Sequence, residues 1–149
     1  MIESSNNRPW KLIKRVLPQH TDHAGVMWHG SYVSWLEEAR IEALNQVGIT
    51  YMELSLQGFE MPVVSLEINY ISALRHGEIV LLESTCSPRK GARWPWLTSF
   101  IKENVVVAEA RVELVLIRRS GENLRLVKSI PEQIASPLLK LQCGPELDL

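Results

Sequence analysis

Apolar positions along the chain change their period once, near residue 58, and that change predicts the architecture. From Ser31 to Val47 the apolar residues Tyr32, Leu36, Ala39, Ala43 and Val47 recur every three or four positions. That spacing predicts an amphipathic helix with one buried stripe, and Gly48 follows as the glycine that ends it. Thr50 to Leu56 predicts a short second helical turn stopped by Gly58. Beyond it the period is two, the mark of half-buried strands. Strands are predicted over Met61–Ile71, Gly77–Ser87, Arg93–Lys102, Val105–Arg119 and Leu124–Ser129. In the third of these, Trp94, Trp96, Thr98 and Phe100 share one face, and Pro95 predicts an edge position or a bulge. Before the helix, Trp10 to Leu17 predicts a first strand closed by Pro18. One strand, one long helix and a run of antiparallel strands make an α+β layer architecture.

Chemistry concentrates in the ten residues between the first strand and the helix, Thr21-Asp22-His23-Ala24-Gly25-Val26-Met27-Trp28-His29-Gly30. They hold one carboxylate, a glycine turn, large apolar residues and the approach to a helix N-terminus. Free N–H groups at such a terminus suit a developing oxyanion, and a neighbouring acid can act on the carbonyl carbon. The arrangement points to acyl transfer. Asp22 has a structural reading too, because aspartates in loops often bond their own backbone.

Composition narrows the classes. The 149 residues fit one domain, and 46% hydrophobic with 22% charged residues is a globular balance. A net charge of −1 excludes a basic nucleic-acid footprint. Two cysteines, Cys86 and Cys143, predict neither a disulfide framework nor a metal site. The start lacks a signal-peptide apolar region, and no run approaches the ~20 apolar residues of a membrane span. The expectation is a cytoplasmic protein with a loose tail over 1–9, a domain over 10–130, and a short helix and tail over 131–149.

The Thr-Asp-x-x-Gly-apolar-apolar block, Ser31-Tyr32-Val33, Trp35-Leu36-Glu37-Glu38-Ala39-Arg40 and the segment Tyr70–Glu78 together resemble the 4-hydroxybenzoyl-CoA thioesterase family of the hotdog fold. The resemblance implies hydrolysis of an acyl-CoA thioester without cofactor or metal. It places the catalytic acid, nucleophile or general base, on Asp22 and the oxyanion donor on the backbone N–H of His29. It also implies homodimers or homotetramers with active sites at subunit interfaces. Gln19 and His20 stand where many relatives carry a second acid. Gly25 would let backbone approach the substrate, and Trp28 would help line the acyl site. Arg89, Lys90 and Arg93 cluster at a turn and are candidates for the CoA phosphates, since arginine matches phosphate geometry.

A rival hotdog pattern places the acid on the helix, nine positions after a His-Gly pair, which here is Glu38. Tryptophan-rich walls favour an aromatic acyl group such as a hydroxybenzoyl or 1,4-dihydroxy-2-naphthoyl ester, the latter in phylloquinone or menaquinone synthesis. Three alternatives stay open. They are a medium- or long-chain fatty acyl-CoA or carrier-protein thioester, a hotdog dehydratase using His29, and a non-catalytic acyl-ligand-binding protein. No arginine or histidine is tied by sequence to a polar group on the acyl part.

Overall fold

A computed structural model describes residues 8–146, so most of the expected tail over 1–9 lies outside the described residues. The elements are β1 (Trp10–Arg15), α1 (His29–Gln46), α2 (Tyr51–Leu56), β2 (Phe59–Glu60), β3 (Val63–Tyr70), β4 (Ile79–Cys86), β5 (Arg93–Lys102), β6 (Val105–Val115), β7 (Ile117–Ser120), β8 (Asn123–Leu126) and α3 (Glu132–Cys143). Five strands form one antiparallel sheet in the order β1-β4-β5-β6-β3. The long helix α1 lies against it. Among the described residues no helix is long and apolar enough to cross a membrane.

The predicted helical stripe is the buried one: Tyr32, Leu36, Ala39, Ala43 and Val47 are all in the core, joined by Trp35 and Leu44. The helix begins at His29, two residues before the apolar pattern does. Periodicity could not show this, because His29 and Gly30 add nothing to the stripe and no Ser, Thr or Asp precedes them. Gly48, at φ +86°, follows the cap residue Val47 and ends the helix. The second helix carries a capping box, with Thr50 Oγ1 accepting from Glu53 N–H and Glu53 Oε2 from Thr50 N–H.

On β4, β5 and β6 the period-two reading holds, whereas β3 is exposed along nearly its whole length. Val80, Leu82, Ser84 and Cys86 of β4 face the core, as do Trp94, Trp96, Thr98 and Phe100 of β5 and Ala108, Ala110, Val112 and Leu114 of β6. The two buried hydroxyls, Ser84 and Thr98, satisfy each other at 2.9 Å. β5 is nevertheless the middle strand, so Pro95 is not at an edge. Its carbonyl accepts from Ser87 N–H just past the last β4–β5 pair, Cys86 with Trp96. The missing proline N–H therefore falls where the ladder has already ended.

One predicted strand is shortened and another divided. The run Met61–Ile71 becomes β3 only after Pro62, and the short β2 ahead of that run, which the pattern did not predict, belongs to a second sheet, β2-β7-β8. The run Val105–Arg119 breaks at Leu116, a buried residue whose carbonyl accepts from Val127 N–H. There the chain leaves the large sheet. In α3, Ile134, Leu138 and Leu141 enter the common core, and Trp10 Nε1 donates to the Leu141 carbonyl at 2.8 Å.

Candidate active site

Asp22 sits in a tight turn between a single 3-10 turn, Pro18–His20, and α1. Its Oδ1 accepts from the N–H groups of Ala24 (2.9 Å) and Val26 (3.3 Å). Its own N–H donates to the Val26 carbonyl, and Gly25 N–H donates back to the Asp22 carbonyl. Gly25 has φ +79°, which this turn requires and other residues resist. The turn is held on both sides: Thr21 bridges Met27, and Met27 N–H donates to the Leu74 carbonyl at 2.7 Å. One carboxylate oxygen thus staples the loop while Oδ2 stays unengaged among the described residues, on an exposed side chain.

The helix start lies directly beyond. Trp28 occupies the cap position, and its side chain makes no capping hydrogen bond. Ser31 N–H returns to the Trp28 carbonyl, which leaves the N–H groups of His29 and Gly30 without an acceptor among the described residues. No acidic side chain occupies the first turn. The His20 carbonyl ties the two segments together by accepting from Trp28 N–H (3.1 Å) and the buried Ser31 hydroxyl (3.0 Å). His20 Nδ1 accepts from Leu17 N–H. His20 therefore stands as an anchor between the 3-10 turn and the helix start.

Trp28 folds its ring across Gly30, so that a Cβ at position 30 would run into the indole. The His29 ring meets Trp28 edge-on at 5.2 Å. Beside this terminus a shallow pocket is lined by Met27, Tyr32, Tyr70, Ile71, Ser72 and Ala73. Tyr32 packs edge-on against Tyr70 at 4.9 Å. Burial, and then the neighbouring Tyr70, push the Tyr32 hydroxyl above the ordinary phenol pKa, which leaves it protonated at neutral pH.

Further along α1, a cavity of about 260 Å³ opens between the helix and the sheet. Trp94 and Trp96 wall it, together with Met61, Leu66 and Cys86. Burial pushes the Cys86 thiol up to about 12, so it is a neutral wall atom and not a nucleophile. Trp35 and Phe59 serve elsewhere. Trp35 is in the core against His20 at 5.3 Å, and Phe59 is buried under Arg118. The helix acids divide: Glu38 turns to β1 and pairs with Lys14 at 3.0 Å, while Glu37 and Arg40 line the cavity. Arg40 was not reached from sequence, although Val33, Leu36, Arg40 and Leu44 do recur at helical spacing.

The three basic candidates differ. Arg89 donates to the carbonyls of Val127 and Lys128 and lies over the Trp94 ring at 5.8 Å. Arg93 pairs with Glu113 at 2.7 Å. Together with Arg111, it holds the Glu113 carboxyl below the usual range. Only Lys90 of the three is exposed with no side-chain partner among the described residues. Two of the expected phosphate contacts are thus already engaged within the chain.

Comparison with known proteins gives this geometry a family. The family model of the thioesterase-like superfamily matches residues 16–138. A Synechocystis sp. protein named as a candidate esterase is 28% identical over 141 residues, spanning 95% of this chain and 85% of that one. The acyl-CoA thioesterase YbgC of Haemophilus influenzae is 27% identical over 69% of this chain and 76% of its own. The solved structure of a 1,4-dihydroxy-2-naphthoyl-CoA thioesterase from Synechocystis superposes with a TM-score of 0.77 over 91% of this chain and 96% of that one, at 18% identity. One long helix on a curved antiparallel sheet, shared across these structures, is the hotdog fold. The chain belongs to the thioesterase-like superfamily, as a hotdog-fold thioester hydrolase of the acyl-CoA thioesterase kind.

Proposed function

We propose that this hydrolase cleaves an aromatic acyl-CoA thioester, with Asp22 as the reacting acid and the start of α1 as the oxyanion hole. The observation that carries the reading is the coupling of the Asp22 turn to an uncapped helix terminus. The Trp28–His20 bond and the Thr21–Met27 bridge tie the turn that carries the unengaged carboxylate oxygen to the segment that enters the helix, whose first two N–H groups are also unengaged. The helix dipole favours negative charge there, and removing one oxyanion donor costs about 3 kcal/mol in enzymes where it has been measured.

Two routes balance. In one, Asp22 Oδ2 attacks the thioester carbonyl, the C–S bond breaks, and CoA leaves as thiolate and gains a proton. Water then opens the mixed anhydride and frees the acid. In the other, Oδ2 takes a proton from water as it attacks, and the same C–S bond breaks. Neither route uses a cofactor. Single-turnover hydrolysis in heavy-oxygen water separates them, because only the nucleophilic route leaves label in the protein.

The aromatic preference rests on Trp94 and Trp96 in the cavity wall. A fold relative named for a naphthoyl-CoA ester agrees with it. The CoA nucleotide would contact Lys90. A second copy would pair along the free edge of β3, where Val63, Val64, Leu66, Tyr70 and Ile71 are exposed. Pairing there would bring the other subunit over the Tyr70–Ala73 pocket and exclude water from Asp22, which strengthens every charge interaction in the site.

The test is thiol release by the purified protein from benzoyl-, hydroxybenzoyl- and naphthoyl-CoA against straight-chain CoA esters. Faster release from the aromatic esters is expected. Flat, weak rates across the series would overturn the preference. An enoyl product would mark a dehydratase, and binding without turnover a ligand-binding protein.

A further inference from the structure

We propose that Arg40 reads the end of the acyl group remote from the thioester, and that the substrate carries a carboxylate there. The inference rests on the acyl group entering the cavity along α1. Within that cavity nearly every wall is apolar, yet a half-buried guanidinium lines it. Arg40 makes no ion pair or side-chain hydrogen bond among the described residues, whereas Glu38, two positions before it on the helix, pairs with Lys14 of β1.

Arginine holds up to five donors and stays charged at neutral pH even where, as here, burial lowers its pKa. The Tyr51 hydroxyl, by contrast, already donates to the Met61 carbonyl. The vacant chemistry is therefore donor chemistry, and an anionic oxygen acceptor is its complement.

Glu37, one turn earlier, is the only acid in the lining, and it moderates the field without pairing with Arg40. A packing role alone, with the aliphatic stem covering apolar surface and the head in water, is the competing reading.

Helix geometry sets the length of the group. Arg40 follows His29 by 11 residues within α1, about 16 Å of axial rise. Helical side chains lean toward the N-terminus, and a turn of lean brings the guanidinium to ~11 Å from the oxyanion donors. Hydrogen bonds of ~3 Å at the two ends take up part of this, so at least ~5 Å, or about four bonds at ~1.5 Å each, must separate the two acceptor oxygens. A ring with a para carboxylate, a bicyclic aromatic group or a chain of eight to ten carbons reaches.

The test compares kcat/KM for octanoyl-CoA with the mono-CoA ester of the eight-carbon dicarboxylic acid, and decanoyl-CoA with its ten-carbon counterpart. Wild type, Arg40→Met, Arg40→Lys and Glu37→Gln are measured, each checked by its melting temperature. The wild type is expected to favour the carboxylated ester by tenfold or more. Arg40→Met should erase or invert the ratio, Arg40→Lys should keep part of it, and Glu37→Gln should raise it. A wild-type ratio at or below one, or a ratio unmoved by Arg40→Met, overturns the inference while leaving thioester hydrolysis intact. Should none of these aliphatic esters release thiol, the proposed function is judged by its own aromatic series and not by this one. Thermal shifts with the free acids then decide the inference: stabilisation by the eight-carbon diacid but not by octanoate, lost in Arg40→Met, supports it, and equal shifts overturn it.

Discussion

Asp22 divides its carboxylate between two tasks, since Oδ1 holds Ala24 and Val26 in the turn while Oδ2 is left over. The structural and catalytic readings of this residue were both visible in the sequence, and the geometry makes them compatible. Gly30 is the less obvious case. Its helical position needs no glycine for backbone reasons, but the Trp28 ring occupies the space its side chain would take. Gly30→Ala must displace the indole or shift the first turn, at about 1–3 kcal/mol of overpacking. A lowered melting temperature together with a fall in kcat is expected, because the same shift moves the oxyanion donors. An alanine variant of wild-type stability and rate would show that the ring moves aside freely.

Among the elements, the turn between β4 and β5 was legible as a turn and as a basic cluster, but not as a pair of internal contacts. Arg89 reaches the segment between β8 and α3, nearly forty residues downstream, and no local pattern announces such a partner. Arg89→Met should therefore cost about 1–3 kcal/mol in denaturant unfolding through the carbonyls left unpaired, with little change in KM. Lys90→Ala should do the reverse, raising KM for CoA esters in a salt-sensitive way at unchanged stability. A KM effect confined to Arg89 would return the phosphate contact to that residue.

The same division governs what else could be read. The α1 stripe and the alternation of β4, β5 and β6 were legible because one buried face repeats at a fixed period. The break at Leu116 and the short β2 ahead of Pro62 were not, since the chain keeps its apolar character at both places while changing partners. Glu38 and Arg40 show the limit within one helix. Two positions apart, one is drawn to Lys14 of β1 and the other to the cavity, and only the packing of α1 on the sheet distinguishes them.

At the scale of the molecule, β3 leaves an eight-residue edge with apolar side chains exposed. An edge of that kind is a template for another strand unless something covers it. Light scattering should give the mass of two or more chains, and Val64→Lys should reduce it to one while lowering turnover. A monomeric variant of full activity would show that the second copy contributes nothing to the site.

The proposed hydrolysis turns on Asp22, and one substitution isolates its chemistry. Asparagine keeps an Oδ1 that can accept from Ala24 and Val26, so Asp22→Asn preserves the turn and removes only the anionic oxygen. Measured on the best CoA ester, with Glu38→Gln and Glu37→Gln beside it, Asp22→Asn is expected to lose at least about 10²-fold in kcat, the scale of a lost acid–base group. Its melting temperature should match the wild type, and both glutamine variants should keep turning over. Retained turnover in Asp22→Asn, with collapse in either glutamine variant, would contradict the account and move the acid onto the helix.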